Sequence, residues 1–235
     1  MIATPAVLLP TDESERLQSL HYYDIIHSLQ EELFDELVAL TASLFRLPMA
    51  YMGLVEAQKM HYKATYGLPR LPPQPRATLL CAQVIKHNQV VVYHDLAAAV
   101  QTPLDARAVQ AGLAQDILFY VGAPVRMASQ HAIGTLCLVG PQPREFNSTE
   151  QKVLEDIASL VSRAIAVRYF CRNNPLLGEV RWQEVQRQAR EETYALGALV
   201  RYLFARYGTG VPVPEEILYP VQRRLHDLRA ILHED

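Results

Sequence analysis

The stretch Ile117–Gly140, ILFYVGAPVRMASQHAIGTLCLVG, decides the fold. Two apolar runs flank the polar tip Ser129-Gln130-His131, which is the pattern of two strands joined by a short hairpin. Successive side chains of a strand point to opposite faces. Here Phe119, Val121, Ala123 and Val125 fill one face, and Tyr120, Gly122 and Pro124 the other. A strand apolar on both parities is predicted to be covered on both sides, so this sheet has room for a chamber. The hairpin therefore points to a place for a site without naming a ligand.

The flanking sequence extends the pattern in both directions. Downstream, PQPREFNSTEQ places Asn147 and Glu150 in capping-box spacing ahead of a long helix. Val153, Leu154, Ile157, Leu160, Val161, Ala164 and Ile165 give that helix its apolar stripe. Upstream, residues 94–116 carry little pattern beyond a short helix around Ala106–Gln110. Gln89–Tyr93 reads as a strand, Thr78–His87 as a short helix and Asn88 as its left-handed cap. The Pro-rich crossing Gly67–Ala77 is excluded from helix and central strand, which makes it a loop and a candidate chamber wall. Met49–Val55 and Gln58–Ala64 are predicted strands. Before them a helix begins near Gln30, with Leu33, Phe34, Leu37, Leu40 and Leu44 on one face and Leu47-Pro48 as its stop. Residues 1–19 read as an acidic, Pro-containing lead-in.

Composition bounds the function classes. The chain has 235 residues, 50% of them hydrophobic and 20% charged, which suits a globular core and excludes a wholly disordered chain. A net charge of -3 gives no overall footprint for nucleic acid or an anionic membrane. Neither a secretory leader nor a membrane-length apolar run is visible, so a cytoplasmic protein is expected. Cys81, Cys137 and Cys171 are odd in number and widely spaced, arguing for reduced thiols rather than a disulfide framework or zinc site. The histidines show no metal-ligand spacing.

In order, the helix, strand pair, Pro-rich loop, LCAQVI, VVVYHDL, FYVGAPV, AIGTLCLVG and EFNSTEQKVLEDIASLV resemble a bacterial GAF domain, a relative of the PAS fold. The resemblance covers roughly 30–168. It implies an α+β fold: a central antiparallel sheet of about six strands, terminal helices on one face and a ligand side roofed by loops on the other. The expected division is a lead-in over 1–29, the GAF domain over 30–170 and a helical extension over 171–235.

Each chemical candidate has a bland alternative beside it. Cys81 is a ligand-contacting or redox thiol, or else a small buried hydrophobe; the latter is the commoner role of a free cysteine. His94 closes VVVYHDL, where it could meet a ligand or solvent. Tyr120 and Thr135 lie on the facing strands of the hairpin and could hydrogen-bond a ligand. Cys137 reads as buried mid-strand. One branch of the family, the free methionine-R-sulfoxide reductases, uses cysteines on this scaffold, and the resemblance implies its catalytic thiol just before FYVGAPV. This chain has Ala114-Gln115-Asp116 there, so the nucleophile is missing and no enzyme is expected. Phe146 and Glu150 suggest the cyclic-nucleotide branch, yet its Asn-Lys pair is absent. No histidine adjoins Cys81 or Cys137, as bilin attachment would need.

Beyond the resemblance, amphipathic helices are predicted over 178–207 and from Pro214, forming an antiparallel hairpin. Val185, Ala189, Leu196, Leu199, Val200, Leu203 and Phe204 mark the first stripe; Ile217, Leu218, Val221, Leu225, Leu228, Ile231 and Leu232 mark the second. Nine arginines are offset by nine acidic residues over 172–235, which leaves little phosphate affinity. The expectation is a stand-alone sensory or regulatory module that binds an unidentified small molecule, forms a homodimer through this helical hairpin and signals to a downstream protein. A ligand-free scaffold for protein–protein contacts is the alternative, and a thiol redox enzyme of the reductase type the third reading. No cofactor is indicated.

Overall fold

The computed structural model describes residues 9–69, 71–99 and 105–233. Its centre is a six-stranded antiparallel sheet in the order β3-β2-β1-β6-β5-β4. The strands are β1 (Met49–Val55), β2 (Lys59–Tyr66), β3 (Gln74–Pro75), β4 (Val91–Tyr93), β5 (Phe119–Arg126) and β6 (Ala132–Gly140). The hairpin β5–β6 lies where the sequence put it, and every residue of β6 is buried. β3 is a two-residue edge strand inside the Pro-rich crossing, followed by a 3₁₀ turn over Arg76–Thr78. An edge is where a sheet accepts proline.

One face of the sheet carries a helical layer. Ala50, Met52, Leu54, Phe119, Val121, Ala123, Val125, Leu136 and Leu138 pack there against α2 (Glu32–Phe45) and α5 (Ser148–Arg172). The capping box forms at the start of α5: the Glu150 N–H donates to Asn147 Oδ1 at 2.9 Å, and the Asn147 N–H donates to Glu150 Oε2 at 3.0 Å. The predicted C-terminal hairpin is α6 (Gly178–Tyr207) and α7 (Glu215–Ile231), docked on α2 and α5 of the same chain. Its buried residues include Trp182, Ala189, Leu196, Val200, Leu218, Val221 and Leu228. A tight joint precedes α6, because a Cβ on Gly178 would meet the Cys171 carbonyl oxygen at 1.7 Å.

The lead-in contains a helix that the sequence reading did not anticipate, α1 (Glu13–Tyr22). Apolar periodicity there is weak, and an arginine anchors it. Arg16 is 1% exposed and donates to the carbonyls of Val55 and Ala132 at 2.7 and 3.3 Å. Glu13 bridges it to the buried Arg76, with contacts of 2.8 Å to Arg16 and 2.5 Å to Arg76. A second buried ion pair, Arg168 with Glu31, ties α5 to the residues just before α2.

Candidate functional site

The other sheet face meets α3 (Cys81–His87), α4 (Ala106–Leu113) and the crossing after β2. Side chains from successive strands form a row across it: Tyr62 on β2, Tyr51 on β1, Cys137 on β6, Tyr120 on β5 and Tyr93 on β4. The register makes the row continuous, since Tyr62 lies opposite Gly53, Tyr51 opposite Cys137, Cys137 opposite Gly122, and Tyr120 opposite Tyr93. The rings of Tyr51 and Tyr62 are 5.3 Å apart, and those of Tyr93 and Tyr120 are 6.2 Å apart.

A sulfur pair sits at the middle of this row. Asn88, at φ 48°, ends α3 as predicted, and the other end of that helix lays Cys81 over the sheet. Cys81 Sγ and Cys137 Sγ are 3.9 Å apart, at exposures of 1% and 0%. The Tyr51 hydroxyl is 3.2 Å from Cys81 Sγ, and the Tyr120 hydroxyl is 3.3 Å from Cys137 Sγ. Gly122 makes that second contact possible: a Cβ there would stand 2.5 Å from the Tyr120 hydroxyl and 2.8 Å from Val84. Thr135 Oγ1 is buried with no well-aligned hydrogen-bond partner among the described residues, yet it lies near enough to both sulfurs to favour their charged forms.

The environment divides the thiols. Hydrogen bonding from Cys137, opposed by burial and aided by the Tyr51, Thr135 and Tyr120 hydroxyls, pulls Cys81 down to about 7. Burial, with the neighbouring Cys81, pushes Cys137 well up. Two adjacent thiols cannot both ionise in a dry site, so a thiolate on Cys81 keeps the proton on Cys137. Burial and the nearby sulfurs also hold the Tyr51 and Tyr120 hydroxyls protonated. They are therefore donors at neutral pH.

Beside the pair is a cavity of about 60 Å³ lined by Tyr51, Tyr62, Leu68, Leu80, Gln115 and Tyr120 among others. Gln115 belongs to the triplet where the reductase resemblance required a thiol, and it presents an amide instead. Larger hollows lie elsewhere: one of about 320 Å³ at the α5–α6 joint and one of about 170 Å³ beside Lys63. Both are outside the chamber between the sheet and α3–α4.

Of the residues singled out in the sequence, Cys81, Tyr120 and Thr135 come together on this face. His94 does not join them. Its Nδ1 is 2.9 Å from the Arg144 carbonyl and 3.3 Å from the Phe146 N–H, so it braces the segment leading into α5. Tyr51, Tyr62 and Cys137 are the chamber residues that sequence reasoning passed over as candidates. Cys137 and Thr135 share a strand parity, but which helix crosses above them is not written in a two-residue period.

The family match agrees with this architecture. Residues 27–166 match the GAF domain family, and the chain belongs to it. A protein of Pseudomonas aeruginosa named cyclic di-GMP phosphodiesterase is 28% identical over 191 residues, covering 78% of this chain. The chain spans about a third of that relative's length, 31%. Among solved structures, the GAF domain of an Acinetobacter phosphoenolpyruvate-protein phosphotransferase is similar with a TM-score of 0.49 at 16% identity, covering 71% of this chain and 100% of that one. The type II free methionine-R-sulfoxide reductase of Thermoplasma acidophilum gives 0.45 at 16% identity, covering 59% and 95%. The chain is thus a GAF module.

Proposed function

We propose that this chain is a cytoplasmic, non-enzymatic sensory module of signal transduction, whose chamber takes a small molecule and whose helices report its presence to a downstream protein. The observation that carries the reading is the partly open cavity of about 60 Å³, where Tyr51, Tyr62, Tyr120 and Gln115 stand among mainly apolar walls such as Leu68, Leu80 and Ile117. That volume holds roughly two waters, so the ligand has only a few non-hydrogen atoms unless the roof moves. A cyclic dinucleotide, named for the Pseudomonas relative, is too large for it; that relative supports the signalling context rather than the ligand. A ligand shifts the helices only if it binds one of their arrangements better than the other. Native mass spectrometry of freshly purified protein tests the reading, with a retained small molecule expected. A clean apo mass, together with no thermal shift across a panel of small metabolites, would overturn it.

The smallness of the same cavity favours a second reading, a ligand-free scaffold. Self-association enters both. The stripes of α6 and α7 are already buried on their own chain, so a homodimer would use what remains exposed at the α5–α6 joint: Phe170, Leu176, Leu177 and Val180. Light scattering coupled to size exclusion measures this, and a concentration-independent monomer mass removes the dimer from either reading.

A further inference from the structure

We propose that Cys81 and Cys137 form a reversible dithiol–disulfide site that reacts with a small peroxide admitted through the adjoining cavity. This goes beyond ligand sensing and does not depend on any ligand occupying the chamber.

Geometry is the first support. The sulfurs approach to 3.9 Å although 56 positions separate them in sequence. A disulfide needs about 2.0 Å between sulfurs, and each cysteine has a χ1 rotation with which to close the gap. Access is the second. Both sulfurs are buried, but Tyr51 and Tyr120, whose hydroxyls touch them, also line the cavity of about 60 Å³. Hydrogen peroxide has two heavy atoms and fits a space sized for about two waters. A nucleotide or a peptide-borne oxidant does not.

Chemistry assigns the order of events. The thiolate is the nucleophile, and Cys81 is the sulfur that ionises more readily, for the reasons given above. Cys81 Sγ attacks one peroxide oxygen and the O–O bond breaks. Its electron pair leaves as hydroxide, which takes up the proton Cys81 had lost and becomes water. Cys81 is now the sulfenic acid. Cys137 Sγ then attacks the Cys81 sulfur, the S–O bond breaks, and the departing hydroxide takes the Cys137 proton to form a second water. In sum, two thiols and one peroxide give one disulfide and two waters; the sulfurs lose the two electrons that the oxygens gain. The tyrosine hydroxyls donate toward the charged sulfur and toward the leaving oxygen. A dithiol reductant reverses the change by exchange.

The test uses the full chain, with a Cys171→Ser version to silence the remaining thiol. Folded protein is treated with a slight molar excess of hydrogen peroxide, quenched, unfolded with an alkylating agent and mapped without reduction. The expected product is a linked peptide pair carrying Cys81 and Cys137, with intact mass lower by two hydrogens and restored by dithiothreitol. Oxidation of Cys171 or methionine while Cys81 and Cys137 remain fully alkylatable would overturn the proposal, as would a link seen only when peroxide meets unfolded chain. In Cys137→Ser, whose hydroxyl keeps a donor toward Cys81, Cys81 should stop at the sulfenic acid and accept dimedone. If that variant misfolds, the map of the unaltered chain still decides.

Discussion

The backbone N–H of Val213 donates to Glu150 Oε1 at 3.0 Å, which joins the loop between α6 and α7 to the capping box that starts α5. The same carboxylate oxygen accepts from Arg144 at 2.6 Å, and Glu150 is 0% exposed. Arg144 lies over the Phe119 and Phe146 rings at 5.8 and 5.2 Å, so the Arg144–Glu150 pair links the C-terminal hairpin, the start of α5 and the sheet. Glu150→Ala strands a buried guanidinium and two backbone donors. Breaking a buried pair in this way costs about 3–5 kcal/mol. Urea unfolding should show that loss, and Glu150→Gln, whose single amide oxygen still accepts from one of the two backbone donors, should show less.

Glu13 gives stability a dependence on pH. Burial alone would raise its carboxyl, but the hydrogen bonds and charges of Arg16 and Arg76 outweigh burial and hold it below the usual range. Lowering in the folded state means that its contribution is complete above the unfolded value of about 4 and fades as pH falls through the folded value. The stability difference between the unaltered chain and Glu13→Gln should therefore be flat near neutrality and shrink in acid. Chemical unfolding at stepped pH measures it; a difference that grows in acid contradicts the assignment.

Gly122→Ala tests the packing around the sulfurs. The new methyl stands 2.5 Å from the Tyr120 hydroxyl, so that hydroxyl must leave Cys137. A forced shift in a packed core costs about 1–3 kcal/mol. Without this donor, folded-state alkylation of Cys81 should move to higher pH, because the Tyr120 hydroxyl helps to lower that thiol. An unchanged pH profile of thiol labelling would place the contact outside the thiols' electrostatics.

Trp182 is the sole tryptophan and is buried at the start of α6. Its fluorescence reports the docking of the C-terminal hairpin, whereas far-ultraviolet circular dichroism reports the whole chain. Since α6 and α7 cover apolar surface of α2 and α5, the two signals should give coincident urea transitions. An earlier fluorescence transition would show the hairpin opening as a separate unit.

What the sequence disclosed follows from the range of each signal. The hairpin around Gln130, the Asn147–Glu150 box, the Asn88 cap and the stripes of α6 and α7 are written within a few residues of one another and were legible. Helix α1 was not, because its anchor is Arg16 reaching carbonyls of Val55 and Ala132, respectively 39 and 116 positions away. The sulfur pair escaped for a related reason. Its two halves lie on a helix and a strand whose crossing depends on the sheet's assembly, so wide spacing looked like isolation. His94 was legible as a polar strand end, but its carbonyl and amide partners come from residues 144 and 146.

β6 has consequences as a partition wall. It is buried along its whole length, with Thr135, Cys137 and Val139 toward the chamber and Leu136 and Leu138 toward the helices. The route from a sulfur on one side to the apolar floor beneath α2 and α5 on the other is a single peptide unit, Cys137 to Leu138, about 3.3 Å along the strand. A movement at the sulfur therefore reaches the opposite compartment within one residue of chain.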